Sequence, residues 1–308
     1  MAGGKLVVCV PARNEEERLP RLIDALSRQT IDDATVVVSL NNTTDRSKDA
    51  VAAASRRYPA LNLVLDEVVF APVDAHAGNA RRRAMDLAAD IAGPAGYVLT
   101  TDADTRPPED WLAANLAAIS SGFDVVGGRI AIDRSEPLSD AVTALGLLTD
   151  RYWARVREIE DSVDPVPWDP PPRHGDHTGA SLCVTVSAYR QCGGVPAIPS
   201  SEDRALVQAI VRRGGRLAHP ASIWTRASPR TVGRAAGGMA EHMMRLEGLC
   251  GTDGSIMLPS FAQWRLRAAW RRDARRRGGA ALVAELEELL PPMTDDTVLR
   301  ETLFEAAG

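Results

Sequence analysis

Asp102 and Asp104 stand one residue apart, directly after the apolar run Tyr97–Thr100. Two carboxylates at that spacing can grip one hard divalent cation, which in turn takes diphosphate oxygens. The pair also reads as turn formers, with Asp104 as a cap for the next helix. Gly78-Asn79-Ala80-Arg81-Arg82-Arg83 opens a helical pattern, where backbone N–H groups and the dipole favour anions. Three consecutive arginines cannot all face one way on a helix, so at most one or two reach a phosphate. A solvated basic face is the plainer reading. Glu202 and Asp203 fall in the first turn of another helix behind Ser200-Ser201, where acids complement the dipole with or without chemistry. His219, before Pro220, is a turn residue or a metal ligand.

Other constellations are missing from the sequence. No G-x-G-x-x-G follows the first strand, and there is no G-x-x-x-x-G-K-[ST] and no G-x-S-x-G elbow. Dinucleotide, P-loop and α/β-hydrolase chemistry lose their main support. Cys9, Cys183, Cys192 and Cys250 have no paired metal spacing, and Cys9 and Cys183 sit in apolar strand-like runs, as buried free thiols do.

The elements that must position these residues follow from periodicity. Leu6–Val10 is a buried strand, and Leu19, Leu22, Ile23 and Leu26 mark a helix over Leu19–Ser27. Thr35–Leu40 is the second strand, and Asp45 caps an Ala-rich helix running to about Tyr58. Leu61–Leu65 is a third strand, Ala80–Ala92 a helix, and Tyr97–Thr100 the fourth strand. This order predicts an α/β fold with an open, mostly parallel sheet. Ligands of such sheets bind beyond the carboxyl ends of the strands, and the polar clusters at 11–15, 41–45 and 102–104 all fall there. Farther on, Glu109–Ser120 and Ser139–Glu160 read as helices, Val125–Ile132 and Leu182–Val186 as strands, and Asp203–Arg213 as a helix. Asp161–His177, with five prolines, reads as a mobile acceptor-side loop or as a disordered linker. Past Arg226 the pattern turns helical and Arg-rich. The expected division is a catalytic domain over 1–230 and a helical C-terminal extension over 231–308.

The bulk numbers set the class. With 308 residues, 45% hydrophobic and 25% charged, the chain can bury a full core. No stretch reaches the roughly 18 apolar residues of a membrane span, and no secretory leader pattern opens the chain. A cytoplasmic location is expected, with peripheral membrane contact left open. A net charge of −5 argues against nucleic acid as a partner. Lys5 and Lys48 are the two lysines among 36 basic residues, which leaves 34 arginines. Arginine favours bidentate contact with phosphate or carboxylate.

Six segments, in order, resemble family 2 glycosyltransferases of the GT-A fold, in the nucleotide-diphospho-sugar transferase superfamily. They are VPARNEEERL at 10–19, LNNTTDRS at 40–47, GNARRRAM at 78–85, TTDADTRPPEDWL at 100–112, HTGASLCVTVSAYRQCGG at 177–194 and SSEDRALVQAIVRRGGRLAHP at 200–220. The resemblance implies a twisted sheet with helices on both faces, a nucleotide-diphosphate sugar donor, a hydroxyl acceptor and a divalent cation, Mn²⁺ or Mg²⁺. It implies that Pro11, Ala12, Asn14, Glu15, Asn41 and Asn42 line the nucleoside pocket. Arg81 would face the diphosphate, Asp102 and Asp104 would form the DxD metal pair, and Gly179-Ala180 would border the donor sugar. Asp203 would be the base that deprotonates the acceptor, with inversion.

Two departures stand out. Leu40-Asn41-Asn42 replaces an acid that relatives often use to bind uracil, and the Asn-x-Gly that often follows Ala-Arg is missing. Thr225–Gly238 is also similar to some members, with Arg226 or Arg230 closing over the donor. A second reading resembles retaining synthases acting on glycerate-like acceptors, in which His219 would join the metal. A sugar nucleotidyltransferase and a non-catalytic binding module are further alternatives.

Overall fold

A computed structural model of the protein describes residues 4–31, 33–233, 239–251 and 255–305. In chain order the elements are β1 (Leu6–Ala12), α1 (Leu19–Ser27), β2 (Thr35–Asn41), α2 (Ser47–Arg57), β3 (Asn62–Val68) and α3 (Ala77–Ala92). Next come β4 (Tyr97–Thr100), β5 (Thr105–Arg106), α4 (Trp111–Ser120), β6 (Val125–Gly127), β7 (Arg129–Ile132) and α5 (Asp140–Val163). Then follow β8 (Leu182–Thr185), α6 (Val186–Gln191), α7 (Glu202–Arg212), β9 (Leu217–Ala218) and β10 (Trp224–Ala227). The chain continues with α8 (Met239–Gly251), β11 (Met257–Leu258), α9 (Phe261–Glu287), β12 (Thr297–Val298) and α10 (Thr302–Glu305). The chain divides into two compact units. One comprises the described residues up to Asp133 together with Gly175–Ser228; the other comprises Arg134–His174, Pro229–Gly233 and the described residues from 239 onward.

The first unit is the predicted α/β fold. Its seven-stranded sheet runs β3-β2-β1-β4-β8-β6-β9. β1 is parallel to β2 and β4, and β2 is parallel to β3. β8 lies antiparallel between β4 and β6. The apolar run of β1 is explained by helices on both faces. Leu6, Val8 and Val10 pack with Leu19, Leu22 and Ile23 of α1 and with Trp111 and Leu112 of α4. Val7 and Cys9, one residue out of phase, pack with Ala84, Met85 and Ala88 of α3 and with Leu206 and Ile210 of α7.

The single strand expected over Val125–Ile132 is two strands in two sheets. β6 stays in the large sheet, whereas β7 joins a small one of order β5-β10-β7. The break falls at Gly128, which donates its N–H to Ser181 O (2.9 Å) and where a Cβ would lie 2.1 Å from Ser181 Oγ.

The second unit has its own core. Tyr152, Val156 and Ile159 of α5 pack with Trp264 of α9 and with Leu299. Buried Glu160 pairs with Arg157 (2.7 Å), Arg271 and Arg173, while Arg275 pairs with Asp164 (2.9 Å). α5 therefore groups with the C-terminal helices, whereas the sequence pattern placed one boundary at residue 230. The Pro-rich segment begins in the last turn of α5, and its Arg173 donates to Asp161 Oδ1 (2.7 Å). Most of this segment is thus anchored by an ion-paired arginine within the second unit. No helix among the described residues is long and apolar enough to cross a membrane.

Candidate active site

The loops after β1, β2 and β3 are knitted by asparagines. Asn14 holds a left-handed backbone (φ 53°), and its Oδ1 accepts Thr44 N–H at 2.8 Å. Asn41 donates from Nδ2 to Ala12 O at 3.0 Å. Asn42, also left-handed (φ 45°), uses both ends of its amide on Phe70: Nδ2 donates to Phe70 O (2.9 Å) and Oδ1 accepts Phe70 N–H (3.1 Å). Asparagine is among the few residues that adopt this backbone readily. Buried Glu15 donates its N–H to Ser47 Oγ (2.8 Å), and Asp45 receives Glu16 N–H (3.0 Å). The structure thus brings Pro11, Ala12, Asn14, Glu15, Asn41 and Asn42 to one end of the sheet. The Phe70 bonds take one of the two N–H donors and one of the two lone pairs of the Asn42 amide.

Past β4 the chain turns sharply, with Thr105 N–H donating to Asp102 O (3.2 Å). Thr101 Oγ1 donates to Ala180 O (2.8 Å) and fixes this turn to the segment before β8. Burial alternates through the turn: Thr101, Ala103 and Thr105 point inward, while Asp102, Asp104 and Arg106 stay partly exposed. The Asp104 carbonyl accepts Ser228 N–H at 3.1 Å.

Arg81 is the centre of the site, but not as a free phosphate ligand. Its side chain is buried. Nε donates to Glu202 Oε1 (2.8 Å), Nη1 to Thr100 Oγ1 (2.9 Å) and Gly179 O (3.1 Å), and Nη2 to Asp102 Oδ1 (2.9 Å). A guanidinium has five N–H donors, so a diphosphate oxygen could take only the one these bonds leave. Burial alone would lower the Arg81 pKa, but the carboxylates of Asp102, Glu202 and Asp203 more than reverse it and hold the guanidinium charged. Three carboxylates around one guanidinium leave the knot net negative, which suits a cation better than a phosphate. The neighbouring arginines are engaged as well: Arg82 donates to Val195 O (3.1 Å), and Arg83 pairs with Asp66 (2.6 Å). Glu202 is the residue that sequence reasoning left without a role. An acid beside the expected base was a signal, but its partner lies far away in the chain on α3.

Asp203, on the first turn of α7, accepts Gly179 N–H through Oδ2 at 2.7 Å and Arg204 N–H through Oδ1 at 2.7 Å. Gly179 therefore joins both sides of the site, giving its N–H to Asp203 and its carbonyl to Arg81. His219 is buried, with Nε2 3.2 Å from Nδ1 of His177. Burial, then the neighbouring His219 and Arg204, press the His177 pKa down to about 4. His177 carried no signal in the sequence beyond standing next to Thr178-Gly179. Among the described residues no three His, Cys, Asp or Glu side chains assemble as a metal-holding group. Two partly exposed carboxylates suit a cation that takes its remaining ligands from phosphates and water. Arg226 lies on β10, and of the segment Thr225–Gly238 the residues 234–238 lie outside the described residues.

An open α/β sheet with β8 antiparallel beside β4, an acidic turn beyond β4 and an acidic pair opening α7 define a GT-A-type glycosyltransferase fold. The family model of Glycosyl transferase family 2 matches residues 7–144, from β1 into α5. No curated protein sequence matches the chain. S. aureus TarS residues 1–349 in complex with UDP is 16% identical, with TM-score 0.54 over 92% of this chain and 77% of that one. Mannosyltransferase PcManGT from Pyrobaculum calidifontis, in complex with GDP-Man and Mn²⁺, is 17% identical, with TM-score 0.53 over 99% of this chain and 84% of that one. Against the longer S. aureus TarS structure (16% identity, TM-score 0.51, 87% of this chain covered), the chain spans 43% of the relative's length. At these identities the likeness is one of fold.

Proposed function

We propose that the protein transfers a sugar from a nucleotide-diphosphate sugar to a hydroxyl acceptor, with inversion and with Asp203 as the base. The observation that carries this is the Arg81 knot. One buried guanidinium ties Asp102 of the acidic turn to Glu202, and so holds the metal-side carboxylate and the residue beside Asp203 in fixed relation. In the reaction the acceptor oxygen bonds to the anomeric carbon as the bond to the diphosphate oxygen breaks. The acceptor proton passes to an Asp203 oxygen, and the nucleoside diphosphate leaves. Gly179 N–H orients that carboxylate. Asp102 and Asp104 would hold a divalent cation, Mn²⁺ or Mg²⁺, which when bound neutralises the leaving diphosphate. The Mn²⁺ named with PcManGT supports this reading. Pro11, Ala12, Asn14, Glu15, Asn41 and Asn42 line the nucleoside end, with Ala180 on the sugar side. All of these residues fall within 1–230, the catalytic domain of this proposal.

The test has two parts. UDP, GDP, ADP and dTDP are screened by thermal shift with Mn²⁺ or Mg²⁺. A ligand at 100 times its dissociation constant adds about 2.7 kcal/mol. Asp203→Asn is then compared with wild type for nucleotide affinity and turnover. Retained affinity with turnover reduced by about 10²–10⁴-fold supports the base role. Turnover near wild type removes Asp203 from the mechanism.

A further inference from the structure

Two successive carbonyls of the segment before β8 are gripped from the end of β4. The Gly179 carbonyl accepts Arg81 Nη1 at 3.1 Å, and the same nitrogen donates to Thr100 Oγ1 at 2.9 Å. The Ala180 carbonyl accepts the Thr101 hydroxyl directly, at 2.8 Å. Thr101 is fully buried, and its Oγ1 lies 2.7 Å from Oγ1 of buried Thr105. A threonine hydroxyl has one proton and two lone pairs. With its own proton on Ala180 O, Thr101 takes the Thr105 proton in return. Thr105 Oγ1 also stands 2.8 Å from the Asp102 carbonyl, which accepts the Thr105 N–H as well (3.2 Å). A continuous path therefore runs from the Asp102 backbone through Thr105 and Thr101 to Ala180 O, and on from Gly179 N–H to Asp203 Oδ2 (2.7 Å). Ser181, next along, is fixed separately: its Oγ accepts Trp111 Nε1 (3.0 Å) and its carbonyl accepts Gly128 N–H (2.9 Å). The Thr101 hydroxyl thus acts on the Gly179-Ala180 end of the segment.

We propose that Thr101 is a positioning residue, whose hydroxyl holds the acidic turn and the Asp203 carboxylate at a fixed separation. Its effect on turnover rests on the proposed role of Asp203 as base; its effect on Gly179 does not. Valine at this position keeps the shape and removes the hydroxyl. Ala180 O and Thr105 Oγ1 then each lose a buried partner, which they regain only by shifting. A misplacement of about 1 Å costs on the order of 10²-fold in rate. Arg81 still holds the Gly179 carbonyl in the variant, so the expected loss is smaller, at least tenfold.

Hydrogen exchange of the Gly179 amide is followed by NMR in wild type, Thr101→Val and Thr101→Ser, with the Ile23 amide of α1 as internal reference. Valine is expected to speed exchange at Gly179 at least tenfold relative to Ile23, and serine to bring it back within threefold of wild type. Turnover is read with Mn²⁺ as release of UDP from UDP-GlcNAc or GDP from GDP-Man, the sugar nucleotides seen with TarS and PcManGT. Valine should lower it at least tenfold with nucleoside diphosphate affinity within threefold, and serine should restore it. An unchanged ratio of Gly179 to Ile23 exchange overturns the proposal, whether both amides stay slow or both speed together, because the hydroxyl then contributes only to overall stability. Full turnover in a Thr101→Val protein with a loosened Gly179 also overturns it. Should the valine variant not fold, Thr101→Ala carries the same expectations. If wild type binds neither nucleotide, the donor reading fails, and the exchange ratio decides the role of the hydroxyl by itself.

Discussion

Replacing Gly179 with alanine puts the knot under direct strain. An ideal Cβ there would stand 2.1 Å from Arg81 Cζ and 2.4 Å from each terminal nitrogen. Carbon atoms rest at about 3.5 Å or more, so the guanidinium must retreat by roughly 1.4 Å. An arginine head usually swings clear of such an intrusion, but this one is held by four hydrogen bonds of 2.8–3.1 Å. A retreat of that size stretches some of them past useful range. A hydrogen bond to a charged group contributes about 1.5–3 kcal/mol, and breaking a buried pair costs about 3–5 kcal/mol. We expect Gly179→Ala to cost about 3 kcal/mol, or roughly 5 °C in Tm for a chain this long. Turnover should fall as well, because the same residue orients Asp203. Denaturant unfolding measures the cost in wild type and in an Arg81→Lys background, where the shorter head leaves room. Gly248→Ala, at an exposed position within α8 where a Cβ meets nothing, is the control and should be neutral or stabilising by about 0.5–1 kcal/mol. A cost below about 1 kcal/mol in wild type, or an equal cost in both backgrounds, refutes the account.

Further outcomes follow from other parts of the molecule. A chelator should weaken nucleoside diphosphate binding, and Asp104→Asn should do the same without chelator; calorimetry giving equal affinity with and without metal removes the cation from the mechanism. Arg83 holds the Asp66 carboxyl below its ordinary value, against the opposing effect of burial, so the stability it adds is present above about pH 4 and is lost as pH falls through the lowered folded value. Wild type should therefore exceed Asp66→Asn by up to about 1 kcal/mol at neutral pH, with the gap closing in acid; a gap constant down to pH 2 argues against the assignment. Burial holds the Cys9 thiol up at about 12 and raises that of Cys183, so native protein at pH 8 should resist alkylation at both until denaturant is added. Mass spectrometry of labelled protein reads this directly, and rapid native labelling of either thiol contradicts it.

The sheet was legible because its strands are short apolar runs that end in polar clusters. Leu19–Ser27 and Tyr97–Thr100 appear with the expected bounds, since their periodicity is undiluted. The break at Gly128 was not legible, because Val125–Ile132 is apolar throughout and nothing local reveals Ser181 pressing on the backbone. α5 carried a clear helical period, but no sequence pattern says which of several apolar stripes it will pack against. At the site, the convergence of three strand ends was readable from the topology alone. The fate of the arginines was not. Arg81, Arg82 and Arg83 are three similar letters in a row, and only the fold gives them Glu202, Val195 and Asp66 as separate partners. Nor did any pattern mark Phe70 as the partner that holds the Asn42 amide at both ends.

The place of β8 in the sheet sets an order on synthesis. β6 pairs with β8 and β9, and both of these are made after it. A ribosome that has released residues 7–144 has therefore delivered β1 to β4, which can pair among themselves, while β6 still lacks a neighbour. That apolar strand must wait through the whole of α5 and the Pro-rich segment before Leu182–Thr185 emerges to bridge it to β4. Chains grow at about 5–20 residues per second, so the wait lasts several seconds with an unpaired strand edge open to wrong partners. A slow codon stretch inside α5 would lengthen that interval, and translation speed through this segment becomes a determinant of soluble yield.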